Sequence, residues 1–185
     1  MTEAAGDGTD LRSRLLAKVR DVPDFPTPGI VFKDVTPLLA DAEAFAEAVE
    51  GLAAPFRGEQ PDKVAGIEAR GFIFGAPVSQ LLGVGFVPVR KKGKLPGDVV
   101  AASYDLEYGS ATIEVTADAF ATGDRVLIVD DVLATGGTAA AAVQLVRQCG
   151  AEVVGIAVLM ELGFLQGRDA LRAVDAPELH VLAVV

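Results

Sequence analysis

Apolar positions along this chain recur in two rhythms. Short continuous runs at 63–67, 84–89, 126–129, 153–159 and 180–184 have the length and Val/Ile content of strands. Between them, 72–82, 139–149 and 165–171 carry the spacing or composition of helices. Upstream, Leu11, Leu15, Val19 and Val22 share one face of a helix over 11–22 that Asp10 would cap. A second helix over 41–56 starts at the cap Asp41 and aligns Phe45, Ala48, Val49 and Leu52. Pro23, Pro26 and Pro28 exclude regular structure from 23–29. Pro77 is tolerable in its helix only near a first turn. The runs 99–104 and 111–115 alternate instead, and Tyr108, Gly109 and Ser110 supply a hairpin turn between them. Strands and helices in alternation predict an α/β fold: a mostly parallel central sheet flanked by helices, with the hairpin as a lid. Residues 1–9, small and acidic, are expected to be a disordered lead to a single domain over 10–185.

Chemistry concentrates in 125–138, RVLIVDDVLATGGT. The run 126–129 reads as a strand buried on both faces, with the carboxylates Asp130 and Asp131 at its carboxyl end. Ala134, Thr135, Gly136, Gly137 and Thr138 then form a small-residue turn that opens into an Ala-rich helix. In open α/β sheets, ligands bind beyond the carboxyl ends of strands, where the next helix presents unpaired N–H groups. Glycines let a backbone close on an anion and threonine hydroxyls add donors. Two acids beside such a cradle suit a ligand carrying phosphate and vicinal hydroxyls, or a phosphate-bound Mg²⁺. A phosphorylated sugar fits that description.

Composition narrows the partners. The 185 residues suffice for one α/β domain, and with 51% apolar but only 6% aromatic residues the core must rest on Ala, Val and Leu. A net charge of −10 gives no global attraction to nucleic acid or to an anionic membrane. An anionic substrate therefore needs a local basic patch or a metal ion. The one cysteine, Cys149, excludes an internal disulfide, fits a reducing compartment and reads as packing. The first residues lack the basic and apolar regions of a signal peptide, and the longest near-apolar run, 153–160, is too short to span a bilayer. A soluble, cytoplasmic protein is expected.

The dense positive run is Arg90, Lys91, Lys92, Gly93, Lys94. It is no Walker loop, since Leu95 follows Gly93-Lys94 and the upstream glycine spacing is wrong. It lacks the interleaved aromatics of a single-strand nucleic-acid site. No strand is followed by G-x-G-x-x-G, so dinucleotide binding has no support. Left open are a solvated charged loop and a set of cations at a strand end, suited to a pyrophosphate. Arg70, also just past a strand, offers a bidentate contact.

The order of strand, acid pair, threonine and double glycine in 125–138 resembles the phosphoribosyl diphosphate (PRPP) signature of type I phosphoribosyltransferases. Four further blocks precede it in order: 23–34 (PDFPTPGIVFKD), 68–75 (EARGFIFG), 90–97 (RKKGKLPG) and 103–109 (SYDLEYG). Together they resemble the adenine phosphoribosyltransferase family from Val22 to Leu171. The resemblance implies a type I phosphoribosyltransferase fold with a hood. It implies an enzyme that makes AMP and pyrophosphate from adenine and PRPP with Mg²⁺, as a cytoplasmic homodimer in purine salvage. By the same resemblance, residues 134–138 hold the 5′-phosphate, and Asp130 and Asp131 sit by the ribose and the forming cationic centre. Arg70, Arg90, Lys91 and Lys94 meet the pyrophosphate, and the Glu68–Ala69 peptide is cis. Val31, Phe32 and Lys33 frame the adenine; Lys33 stands where some relatives carry Arg. Glu107 and Tyr108 belong to the mobile lid, Glu107 as the base. The metal is held mainly by the pyrophosphate, near Asp130 and Asp131. Two alternatives stay open: a type I enzyme for a 6-oxopurine or orotate, and a non-enzymatic PRPP-sensing regulator. Residues 174–185 carry no motif, and His180, with no acidic neighbour in sequence, reads as structural.

Overall fold

The structure, a computed structural model, describes residues 8–105 and 109–185. It divides after Gly51 into two units. In the first, α1 (Gly8–Leu16) ends well before Val22, shorter than the helical period suggested. The amides of Lys18 and Val19 turn back onto Leu15 and Leu16, and β1 (Arg20–Pro23) leaves to pair antiparallel with β2 (Val31–Asp34). Val22 thus faces Phe32 in a ladder rather than a helix, and Pro23 closes the strand. The ladder is cross-linked by ion pairs Arg20–Asp34 and Lys33–Asp21, the latter at 2.7 Å. Side-chain spacing alone did not separate these outcomes. The connection holds a cis Phe25–Pro26 peptide, and Asp24 Oδ1 accepts the Gly29 N–H at 2.8 Å.

A short helix absent from the sequence reading, α2 (Thr36–Leu39), starts where Asp34 accepts the Thr36 N–H at 2.9 Å and its hydroxyl at 2.5 Å. Those bonds, with Arg20, hold the Asp34 carboxyl down to about 2. Asp41 caps α3 (Ala42–Ala53) as expected, its Oδ1 accepting the Ala44 N–H at 3.1 Å. A single 3₁₀ turn, Ala54–Phe56, ends it.

The second unit is built on β3 (Lys63–Ile67), α4 (Gly71–Leu82), β4 (Gly85–Lys91), β5 (Val99–Asp105), β6 (Ser110–Thr116), β7 (Arg125–Leu133), α5 (Gly137–Gln148), β8 (Glu152–Glu161), α6 (Gly167–Ala173) and β9 (Leu179–Val184). The seven strands order as β5-β6-β4-β3-β7-β8-β9. Pairs from β4 through β3, β7 and β8 to β9 are parallel; β4–β6 and β5–β6 are antiparallel. Mostly parallel sheet, flanking helices and hairpin agree with the sequence reading. The hairpin's turn residues, Leu106, Glu107 and Tyr108, lie outside the described residues. From β3 the chain crosses to β4 on one side, and from β7 to β8 on the other. Adjacent β3 and β7 are therefore the switch point at whose carboxyl ends such sheets bind ligands.

Alternation along the central strands covers both faces. Ala65, Ile67, Val126 and Ile128 share a cluster with Ala139 to Val143, Leu145 and Val146 of α5, where small side chains let the helix lie close to the sheet. Val64, Leu127 and Val129 are buried on the other face, and α4 packs on β3 and β7. A Cβ on Gly66 would come within 2.6 Å of the Phe86 ring, and one on Gly75 within 2.9 Å, so both positions exclude a side chain. Pro77 sits in the middle of α4 rather than in its first turn. Its missing N–H deprives only the Ile73 carbonyl of a helical partner.

Candidate active site

At the switch point, β7 runs four residues further than its apolar core. Asp130 pairs in register with Val158, Val132 with Met160 and Leu133 with Glu161, so the acid pair lies within the strand and not on a solvated tip. The long partner β8 (Glu152–Glu161) offers a ladder that outweighs the low strand propensity of aspartate. Asp131 is only 5% exposed. Its carboxylate pairs with Arg70 Nε at 2.8 Å, and its N–H donates to Asp130 Oδ1 at 2.8 Å. Burial, reinforced by the neighbouring Asp131 charge, pushes the Asp130 carboxyl well above the usual carboxylate range. Asp131 is also raised by burial, with Arg70 working against it. A Cβ on Gly71 would stand 2.7 Å from Asp130 Oδ1 and 2.9 Å from the Val129 carbonyl, so the start of α4 touches the acids only through a glycine.

Beyond β7 the chain closes around a cleft of about 430 Å³ lined by residues 67–70, Lys91, Tyr104, Ile113 and 130–139. Gly136 takes φ +83° and caps α5, and the first N–H groups of the helix, at Gly137, Thr138 and Ala139, have no intrahelical acceptor. The Thr138 hydroxyl donates to the Tyr104 hydroxyl on the hairpin at 2.9 Å. Opposite, Glu68 Oε2 accepts Arg90 Nε at 3.0 Å and the Lys91 N–H at 2.9 Å, which holds Glu68 below its ordinary range. Buried Glu114 accepts the Gly93 N–H at 2.9 Å. Two carboxylates thus fix the backbone of the basic run, while the Arg90 guanidinium lies 5.9 Å from the Phe72 ring centroid. The Glu68–Ala69 peptide is cis. Lys91 of the basic run, the 134–138 turn and the acid pair therefore line a common cavity.

The phosphoribosyl transferase domain model matches residues 38–181. The adenine phosphoribosyltransferase of Thermobifida fusca is 59% identical over 96% of this chain and 99% of its own. That of Streptomyces galbus is 58% identical over the whole of both. The chain belongs to the adenine phosphoribosyltransferase family. Among solved structures, the adenine phosphoribosyltransferase of Rhodothermus marinus aligns at TM-score 0.90 with 52% identity, covering 96% of this chain and 99% of that one. The Saccharomyces cerevisiae enzyme, solved with an imino-altritol bisphosphate and adenine, aligns at 0.88 with 39% identity, covering 94% of this chain and 99% of that one.

Among the residues expected for this family, Arg70, Lys91, Asp130, Asp131 and 134–138 come together in the cleft. Arg90 and Lys94 do not line it: Arg90 is engaged by Glu68 and by the Lys94 carbonyl. Val31, Phe32 and Lys33 stand on β2 of the first unit, where Lys33 pairs with Asp21 and Phe32 meets the Phe25 ring edge-on at 5.2 Å. Glu107 and Tyr108 lie outside the described residues. Sequence reasoning missed Tyr104, Glu68 and Glu114. Their partners are 34, 23 and 21 residues away, and only strand pairing brings them in. His180, on β9, sets its ring edge-on to Phe56 at 6.3 Å, in keeping with a structural role. Cys149 packs at the margin of the core, and burial pushes its thiol up, away from reactivity.

Proposed function

We propose that the chain is an adenine phosphoribosyltransferase, converting adenine and PRPP to AMP and pyrophosphate in purine salvage. The observation that carries this reading is the juxtaposition, in one cleft, of half-buried Asp130 and buried Asp131 with the 134–138 turn. The N–H groups at the start of α5 and the Thr135 hydroxyl take the 5′-phosphate, joined by the Thr138 hydroxyl as it turns away from Tyr104. Asp130 and Asp131 accept from the ribose hydroxyls and stabilise positive charge at C1′ as the bond to pyrophosphate breaks, through an oxocarbenium-like state. Adenine N9 forms the new bond, and its proton leaves to Glu107 on the lid. Lys91 and Arg70, which line the cleft, meet the departing pyrophosphate, and Arg90 and Lys94, held outside it, reach the pyrophosphate only if the basic run shifts inward. Val31, Phe32 and Lys33 frame the adenine. The lid carrying Tyr108 keeps water from PRPP.

Among the described residues no three His, Cys, Asp or Glu side chains gather as a metal site. A Mg²⁺ would fit as an ion brought by the pyrophosphate, next to Asp130 and Asp131, whose carboxyls are raised chiefly by burial while the Arg70 charge works against the rise. When bound, the ion neutralises the leaving group. The same reading makes the enzyme a cytoplasmic homodimer; no helix among the described residues is long and apolar enough to cross a membrane.

A competition assay tests the substrate. With PRPP and Mg²⁺ and equal amounts of adenine, guanine, hypoxanthine and orotate in one reaction, AMP should be the nucleotide formed. Formation of a 6-oxopurine nucleotide or orotidylate in preference would overturn the reading, and no nucleotide at all would favour a PRPP-sensing regulator.

A further inference from the structure

The 134–138 turn lies in contact with chain behind it. Its back is covered by the segment that follows β8. A Cβ on Gly136 would overlap the Gly167 carbonyl, and a Cβ on Gly167 would overlap the Ala134 carbonyl. The two backbones are therefore in direct contact, and neither position has room for a methyl group. Gly167 is fixed in turn by what flanks it. Leu162 N–H donates to the Leu133 carbonyl at 2.9 Å, the 3₁₀ turn Gly163–Leu165 follows, and Gln166 takes φ +51°. Arg168 then reaches back to Glu161, with Nε 2.8 Å from Oε1 and a terminal nitrogen 2.7 Å from Oε2. Glu161 is the last residue of β8, stands in register with Leu133 at the end of β7, and is only 5% exposed. A buried carboxylate is costly unless its oxygens are satisfied, and this one is gripped by a planar fork. Nothing in the reaction uses this pair.

We propose that Glu161, Gly167 and Arg168 form a brace that sets the curvature of the 134–138 turn and so the enzyme's affinity for the 5′-phosphate of PRPP. The proposal rests on the reading that this turn holds the phosphate. Donors on the turn bond the phosphate only within about 2.7–3.2 Å, so an outward push on Ala134 misaligns several at once. Gly167 has no positive φ, so alanine suits its backbone and the Ala134 carbonyl is what it strikes. These are positioning residues, acting through the turn.

The test measures inhibition by ribose 5-phosphate, competitive with PRPP, together with KM for PRPP and for adenine and the thermal midpoint. The variants are Gly167→Ala, Arg168→Met and Arg168→Lys, with Thr138→Ala as the reference for the turn. Gly167→Ala should raise Ki for ribose 5-phosphate and KM for PRPP by about tenfold or more, the loss of one or two charge-assisted hydrogen bonds. KM for adenine should stay within about twofold of wild type. Arg168→Met should move the same two constants in the same direction by a smaller factor, and Arg168→Lys should restore part of the loss. A role in stability alone would lower the midpoint and the active fraction with Ki unmoved, and that result overturns the brace. If Thr138→Ala raises Ki and Gly167→Ala does not, the brace fails and the phosphate reading stands. If Thr138→Ala leaves Ki unchanged, the phosphate reading fails and the brace with it. Should Gly167→Ala not fold, Ki in Arg168→Met against Arg168→Lys decides.

Discussion

Replacing Asp130 by Asn should make the ligand-free protein more stable while removing its activity. The Asp130 carboxyl is raised by burial first and by the Asp131 charge second, so its ionised form is penalised in the fold. Below the unfolded value near 3.8 both folded and unfolded chains are protonated and no penalty exists. As pH climbs from there through the raised folded value, the unfolded chain gives up its proton first, and stability falls. Above the raised value the penalty is complete. Each unit of displacement corresponds to about 1.4 kcal/mol, and 1 kcal/mol to about 2–4 °C in a chain of this size. The Asn oxygen still accepts the Asp131 N–H, so the bond seen at 2.8 Å is kept. In metal-free buffer, differential scanning calorimetry across the neutral and acidic range should show Asp130→Asn melting about 2 °C or more above wild type near neutrality. The gap should close on acidification. A variant that melts lower at neutrality, or a gap constant with pH, would refute the argument that the acid is held against its own solvation.

Three other outcomes are expected. Glu107→Gln should lower kcat at least about tenfold with PRPP affinity little changed, within the usual about 10²–10⁴-fold range of a general base; steady-state kinetics with a chemistry-limited substrate check this, and a kcat within about threefold of wild type assigns the proton to another route. Tyr104→Phe removes the acceptor that competes with phosphate for the Thr138 hydroxyl proton and should lower KM for PRPP by about 2–12-fold, the worth of one hydrogen bond, whereas an unchanged or raised KM would show that the contact does not compete. PRPP with Mg²⁺ at about 100 times its Kd should stabilise the fold by about 2.7 kcal/mol, a rise of about 5–10 °C in a melting curve, with less from PRPP alone; no rise would contradict PRPP binding.

Much of the fold was legible because its central strands are apolar on both faces. The run 63–67 coincides with β3, and 126–129 forms the buried core of β7. The limits of that logic show at the ends. Asp130 to Leu133 continue β7 because β8 pairs with them, information that resides on another strand. Val19 and Val22 fit the period of a helix they do not join, since pairing of Val22 with Phe32 competes for the same residues. At the site, acids, glycines and threonines contiguous in sequence announced themselves. Tyr104, Glu114 and the Glu161–Arg168 pair did not, because each acquires its meaning only from a partner brought in by the fold. Arg70 was visible as a cation, but its ion pair with Asp131, across the β3–β7 switch point, was not.

The central claim is that the cleft between β3 and β7 transfers phosphoribose to adenine, and one time course tests it most directly. Adenine, PRPP and Mg²⁺ are mixed with wild-type protein and with a folded Asp130→Asn, Asp131→Asn double variant, and adenine, AMP and pyrophosphate are quantified together. The account predicts AMP and pyrophosphate in equal amounts, matching the adenine consumed by the wild type, and no detectable AMP from the double variant. AMP formed by the folded double variant at near the wild-type rate, or none formed by the wild type, would contradict it.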